Sequence, residues 1–172
     1  MPKNGIVAFA FGIPGSITSN RTISAIASKV AKEHQAPIFT QKGLINVDQG
    51  LEVEFVKEKI TNPAATLDIA RQAVTWAIQR GIQELWIVAA LPHMWRCVRD
   101  LDFAVREAQA SIIIRIASEV SQYASHTWFC TDSEQTFHRD SKRWERSDHI
   151  LRIMPMWIYV YLYTPLRRLF AP

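Results

Sequence analysis

The 172 residues leave room for one domain of ordinary size and no second. Hydrophobic residues at 48% and charged residues at 21% exclude a disordered chain and a fibrous repeat. The net charge of +4 is unevenly placed: residues 1–136 hold 13 basic and 13 acidic side chains, whereas 137–172 hold seven basic and three acidic ones.

Ile6–Phe11 is a continuous apolar run, as expected of a strand covered on both faces. Gly12-Ile13-Pro14-Gly15-Ser16 then turns the chain, and it is too Gly- and Pro-rich to continue a signal peptide. Ser19 or Asn20 is the expected cap of a helix whose Ile23, Ile26, Ala27 and Val30 recur at i, i+3, i+4 and i+7. Pro37–Thr40 reads as a second strand. Leu51, Val53 and Phe55 alternate with Glu52 and Glu54, which favours a third, although Gln41–Gly50 is short for a parallel crossover.

Asn62-Pro63 offers a cap and a first-turn proline to a helix with an apolar stripe at Leu67, Ala70, Ala73, Val74, Ala77 and Ile78, stopped by Gly81. Leu85–Ala90 is a buried strand, and Leu91-Pro92-His93 leads into a helix running to about Gln109. Ser111–Ala117 is a further apolar strand, and Thr127–Cys130 a short one. A charged helix near Ser141–Ile153 precedes a basic, aromatic element at about 154–172. Alternating strands and helices define one doubly wound α/β domain, with helices on both faces of a mostly parallel sheet.

Such sheets bind ligands beyond the carboxyl ends of their strands, where helix N-termini bring unpaired N–H groups. The residues that fall there are Gly12, Arg21, Gln41, Thr66, Asp68, His93 and Arg96. His93 and Arg96, three apart, share a helix face and pair an imidazole with a guanidinium. The imidazole can serve as acid, base or donor, and the guanidinium can hold an oxyanion at two points. A purely structural role would have His93 at the helix start and Arg96 paired with Asp100. The glycine loop matches neither GxGxxG nor a P-loop. His126, His138 and His149 lack metal-ligand spacing, no GxSxG elbow supports a hydrolase triad, and Cys97 and Cys130 read as reduced structural thiols. The bases are too mixed with acids for a nucleic-acid footprint.

The order of these features resembles the DUF218 family (the YdcF/SanA/ElyC-like proteins), over about Gly5 to Ile153. The resemblance rests on Phe11-Gly12 followed by Arg21, on Thr66-Leu67-Asp68-Ile69 in place of Thr-x-Glu-Asn, and on Ala89-Ala90-Leu91-Pro92-His93-Met94-Trp95-Arg96 in place of Thr-Ser-x-x-His-x-x-Arg. Arg143, Glu145 and Arg146 stand where the family has a late arginine–glutamate pair. Ile69, Ala89 and Ala90 lack the family's hydrogen-bonding groups, and Gln41-Lys42-Gly43 replaces its Ser-Gly-Gly turn.

The resemblance implies a bacterial protein with a Rossmann-like three-layer domain and a small anionic ligand, phosphate- or nucleotide-like, with S-adenosylmethionine among the candidates and a link to cell-envelope homeostasis. Arg21 and Arg96 would meet the anion, His93 would donate a hydrogen bond or move a proton, Gln41 and Thr66 would orient the ligand, and Asp68 would hold an arginine or a ribose hydroxyl. No spanning segment is expected, so the location is expected to be cytoplasmic. The alternative is a non-catalytic peripheral protein whose basic aromatic C-terminus meets an anionic membrane surface.

Overall fold

The computed structural model describes residues 2–44, 47–48, 50–58 and 64–163. Five strands, β1 (Asn4–Ala8), β2 (Ile38–Thr40), β3 (Val53–Phe55), β4 (Glu84–Val88) and β5 (Ile113–Ile116), form one parallel sheet in the order β3-β2-β1-β4-β5. Register is continuous: Ile6 lies opposite Ile38 and Trp86, and Trp86 opposite Arg115. Helices α1 (Thr18–His34), α2 (Thr66–Arg80) and α3 (Leu91–Glu107) are the connections. Right-handed crossovers from β1 toward β2 and from β3 across to β4 must run on opposite faces. Accordingly α2 packs on α3 on one face, while α1 covers β1 from the other. The result is the Rossmann-like three-layer domain that the alternating pattern predicts.

Central strands β1 and β4 bury both faces, which is why they read as continuous apolar runs. Strand β5 differs from its expected apolar burial: Ile113 and Ile116 are half exposed because β5 is the sheet edge. The third strand is present and parallel to β2. Between them no helix occurs among the described residues. Gly81 ends α2 in the left-handed region at φ 64°, as its position predicts. The Asn62-Pro63 cap lies outside the described residues.

Two local expectations are corrected. The first helix begins at Thr18 with no side-chain cap, and Ser19 and Asn20 serve the preceding loop instead. Ser19 Oγ donates to Phe11 O at 2.9 Å; Asn20 Oδ1 accepts from Phe11 N at 2.8 Å, and its Nδ2 donates to Gly12 O at 2.9 Å. Thr127–Cys130 is no strand: Ser125–Trp128 is a 3₁₀ turn that drives the Trp128 ring into the core.

After β5 the chain turns back over the carboxyl edge of the sheet. It passes through 3₁₀ turns into α4 (Ser141–Ile153), whose N-cap Asp140 accepts from Lys142 N at 2.9 Å. The segment 154–163 is anchored by Tyr159. Its hydroxyl donates to Asp100 Oδ2 at 2.7 Å, and its ring packs with Leu67, Leu151 and Val160. Burial pushes the Asp100 carboxyl above the usual carboxylate range, against the opposing pull of Arg99 and the Tyr159 hydroxyl. Among the described residues no helix is long and apolar enough to cross a membrane.

Candidate functional site

Parallel strands put every strand-to-helix loop at one edge, and all seven candidate residues fall there or in the first two turns of the helix that follows. The edge divides into a covered half over β1 and β4 and an open half over β2 and β3.

The covered half holds His93 and Arg96. Helix α3 starts at Leu91 with Pro92 in its first turn, and His93 and Arg96, three apart, share a face: His93 meets Phe9 and Phe11 beyond β1, and both meet Trp144 of α4. Both are only 7% exposed, because α4 and the turn before it lie on top. The His93 ring sits 5.5 Å from Trp144, 6.1 Å from Phe11 and 6.4 Å from Phe9. Phe11 in turn meets Trp144 at 4.8 Å, His138 at 4.5 Å and Phe129 at 5.6 Å. Trp144 Nε1 donates to Pro92 O at 3.1 Å, tying α4 to the start of α3. The switch-point crevice is therefore packed with aromatic rings.

Arg96 is engaged inside the protein. Its Nη2 donates to Asp148 Oδ1 at 3.0 Å, and its guanidinium lies 5.0 Å from the Trp144 ring. Asp148 Oδ2 also accepts from Arg152 Nε at 2.7 Å. Arg96 Nε, buried, has no hydrogen-bond partner among the described residues. Asp100, one helical turn away, pairs with Arg99 at 2.8 Å, so the sequence pairing Arg96–Asp100 is replaced by one across 52 residues. Arg21 is exposed on α1 and has no ion pair among the described residues. Exposure thus separates Arg21 from the buried His93–Arg96 pair.

Gly12, at φ 92°, is buried under this cover: a Cβ there would lie 2.7 Å from Ser133 Oγ. Glu134 N donates to Ile13 O at 2.7 Å, and Cys130 N to His138 O at 3.1 Å, which seats residues 130–138 on the first loop. Cys130 touches Ser19. Cys97 is fully buried on α3, and burial pushes its thiol well above its ordinary value, so it remains a protonated core residue.

In the open half, Gln41 joins three strand ends. Its Oε1 accepts from Ala10 N at 3.0 Å and its Nε2 donates to Glu58 Oε2 at 3.4 Å. Glu58 further accepts from Lys42 N at 3.3 Å and Ala64 N at 3.0 Å. Sequence reasoning missed Glu58, one of three consecutive charges in a segment without clear period. Beside it Lys42, Phe55, Val56, Lys57 and Glu58 line a surface hollow of about 510 Å3. Neither lysine has an ion-pair partner among the described residues. Thr66 is buried as the first residue of α2, and Asp68 is half-buried in the same turn. The N-termini of α1, α2 and α3, all at this edge, have no side-chain cap.

The two halves meet at Gly15, whose Cβ position would fall 1.7 Å from Gly43 O. Gly15→Ala must push the two loops apart and is expected to cost at least about 1–3 kcal/mol in thermal denaturation. Gly43→Ala, which meets nothing within 4 Å, is expected to stay within about 0.5 kcal/mol of wild type. Equal melting of the two variants would disprove the close approach.

The fold defines a doubly wound α/β protein whose strand-to-helix loops gather at one edge of the sheet. Compared with protein-family models, curated proteins and solved structures, the chain matches none.

Proposed function

We propose that the protein is a DUF218-like binder of a small anionic ligand, phosphate- or nucleotide-like, taken at the carboxyl edge of its sheet. The observation that carries this reading is the open hollow over β2 and β3, walled by Lys42 and Lys57, neither of which has an ion-pair partner among the described residues. Its volume lies within the usual range for small-molecule sites. The uncapped helix starts add N–H groups and partial positive charge to the same edge. Glu58, held by N–H donors from Gln41, Lys42 and Ala64, is already engaged in loop structure.

Reaching His93 and Arg96 requires α4 to yield, since Asp148 occupies the guanidinium and Trp144 the crevice. The lysine hollow requires no such movement. The ligand's anion therefore belongs first to Lys42 and Lys57, with Gln41 and Thr66 behind them. His93 acts as an acid or base only on a group that passes Trp144. A cytoplasmic location suits a nucleotide-like ligand such as S-adenosylmethionine, and the link to the cell envelope rests on the resemblance alone.

The test is thermal denaturation with a panel of nucleotides, sugar phosphates, S-adenosylmethionine and inorganic phosphate. A true ligand at a hundred times its dissociation constant stabilises the fold by about 2.7 kcal/mol. Lys42→Ala/Lys57→Ala is expected to abolish that gain with little change in the unliganded protein, both side chains being exposed. A panel without any stabilising member, or equal stabilisation of wild type and double variant, overturns the assignment.

A further inference from the structure

Helix α4 has two unlike faces. Trp144, Asp148 and Leu151, at i, i+4 and i+7, turn inward. Arg143, Arg146, Ile150 and Ile153, at i, i+3, i+7 and i+10, turn outward and are exposed. Exposed Phe137 completes a hollow of about 500 Å3 with Arg143, Arg146 and Ile150. Past the helix Trp157 and Tyr161 are also exposed, at 61% and 72%. Tyr159, buried between them and bonded to Asp100, holds these two rings outward.

The acids of this region do not balance the outward arginines. Asp148 faces inward between Arg96 and Arg152, and Asp140 is spent on the helix cap. Neither Arg143 nor Arg146 has an ion-pair partner among the described residues. Within the helix Glu145 is the one other carboxylate. The face thus runs from unpaired guanidinium groups to large apolar side chains.

We propose that this face docks on an anionic phospholipid bilayer, with Arg143 and Arg146 at the phosphates and Ile150, Ile153 and Trp157 at the acyl boundary. A bilayer supplies both requirements in the right order: a layer of negative charge above, apolar chains below. Ile153 lies about 15 Å along the axis from Arg143 at 1.5 Å per residue. A modest tilt therefore brings it to the acyl boundary, about 5–10 Å deep, while the arginines stay at the surface. A second copy of the chain would set arginines against a face with no acid to meet them. A soluble phosphate would leave the apolar row uncovered. The site is separate from the lysine hollow and does not depend on it.

The experiment is co-sedimentation of the full chain with vesicles of phosphatidylcholine plus phosphatidylserine, against phosphatidylcholine alone, at low and high salt. The chain is expected to bind the mixed vesicles at low salt and to release them at high salt. Arg143→Ala/Arg146→Ala is expected to weaken partitioning about thirtyfold, from the contribution of each base near an anionic surface. Ile153→Ser/Trp157→Ser is expected to weaken binding while leaving its salt dependence in place. Unchanged melting temperatures keep these effects separate from unfolding, since all four side chains are exposed. The proposal is overturned if the intact chain ignores mixed vesicles at low salt, binds neutral vesicles equally, or binds independently of both variants. Salt-dependent dimers abolished by the same substitutions, without vesicle binding, would likewise overturn it in favour of a second copy.

Discussion

Replacing Arg96 with alanine is expected to lower the stability of the unliganded protein by about 3–5 kcal/mol, the cost of leaving a buried carboxylate without its partner. Asp148 is only 3% exposed and loses its buried hydrogen bond at 3.0 Å, retaining Arg152 from the solvent side. That remaining partner places the loss toward the lower end of the range. The guanidinium also packs over Trp144, so part of the cost is lost contact rather than lost charge. A double-mutant cycle with Asp148→Ala separates the two: the pair's coupling energy is what the single losses fail to add up to. Loss below about 1 kcal/mol in chemical denaturation would show that α4 does not clamp this arginine. An arginine kept only to meet an anion could be replaced without cost to the unliganded fold. Asp148 changes that expectation, so Lys42 and Lys57 are the cleaner probes of ligand binding.

What was legible in the chain follows the range of the forces involved. Helix α2 announces itself through an apolar stripe and Gly81, and β1 and β4 through unbroken apolar runs, because burial on a regular element repeats with that element's own period. The gathering of the strand-to-helix loops at one edge also followed, since parallel connections put every loop after a strand on one side. Ser19 and Asn20 carried an ambiguous signal: the chemistry that caps a helix also pins a loop, and only the tertiary position of Phe11 to Pro14 decides between them. Asp148 and Trp144 gave no signal as cover for Arg96 and His93. Their partners lie about 50 residues away, and nothing in local periodicity records which face of a late helix will meet which earlier one. Glu58 was hidden for the same reason.

The packing of Trp144 decides how the covered half of the edge should respond to mutation. Trp144→Ala is expected to cost about 3–5 kcal/mol, as for other large aromatic truncations in cores. The indole meets Phe11, His93 and His138, faces the Arg96 guanidinium, and donates to Pro92 O. None of these neighbours can follow it, since Phe11 and His93 are fixed by β1 and α3, so a cavity remains where the ring was. Indole added to the variant is expected to recover part of the lost melting temperature, as an apolar cavity takes an apolar guest. The same variant tests where the anion goes. If α4 is what keeps ligand from His93 and Arg96, panel members that stabilise wild type weakly are expected to stabilise Trp144→Ala more strongly, and Lys42→Ala/Lys57→Ala to matter less in that background. If the lysine hollow is the site, the gain from ligand is unchanged by Trp144→Ala and still vanishes with the two lysines. A variant that melts like wild type and ignores indole would mean that the Trp144 ring does not occupy the crevice.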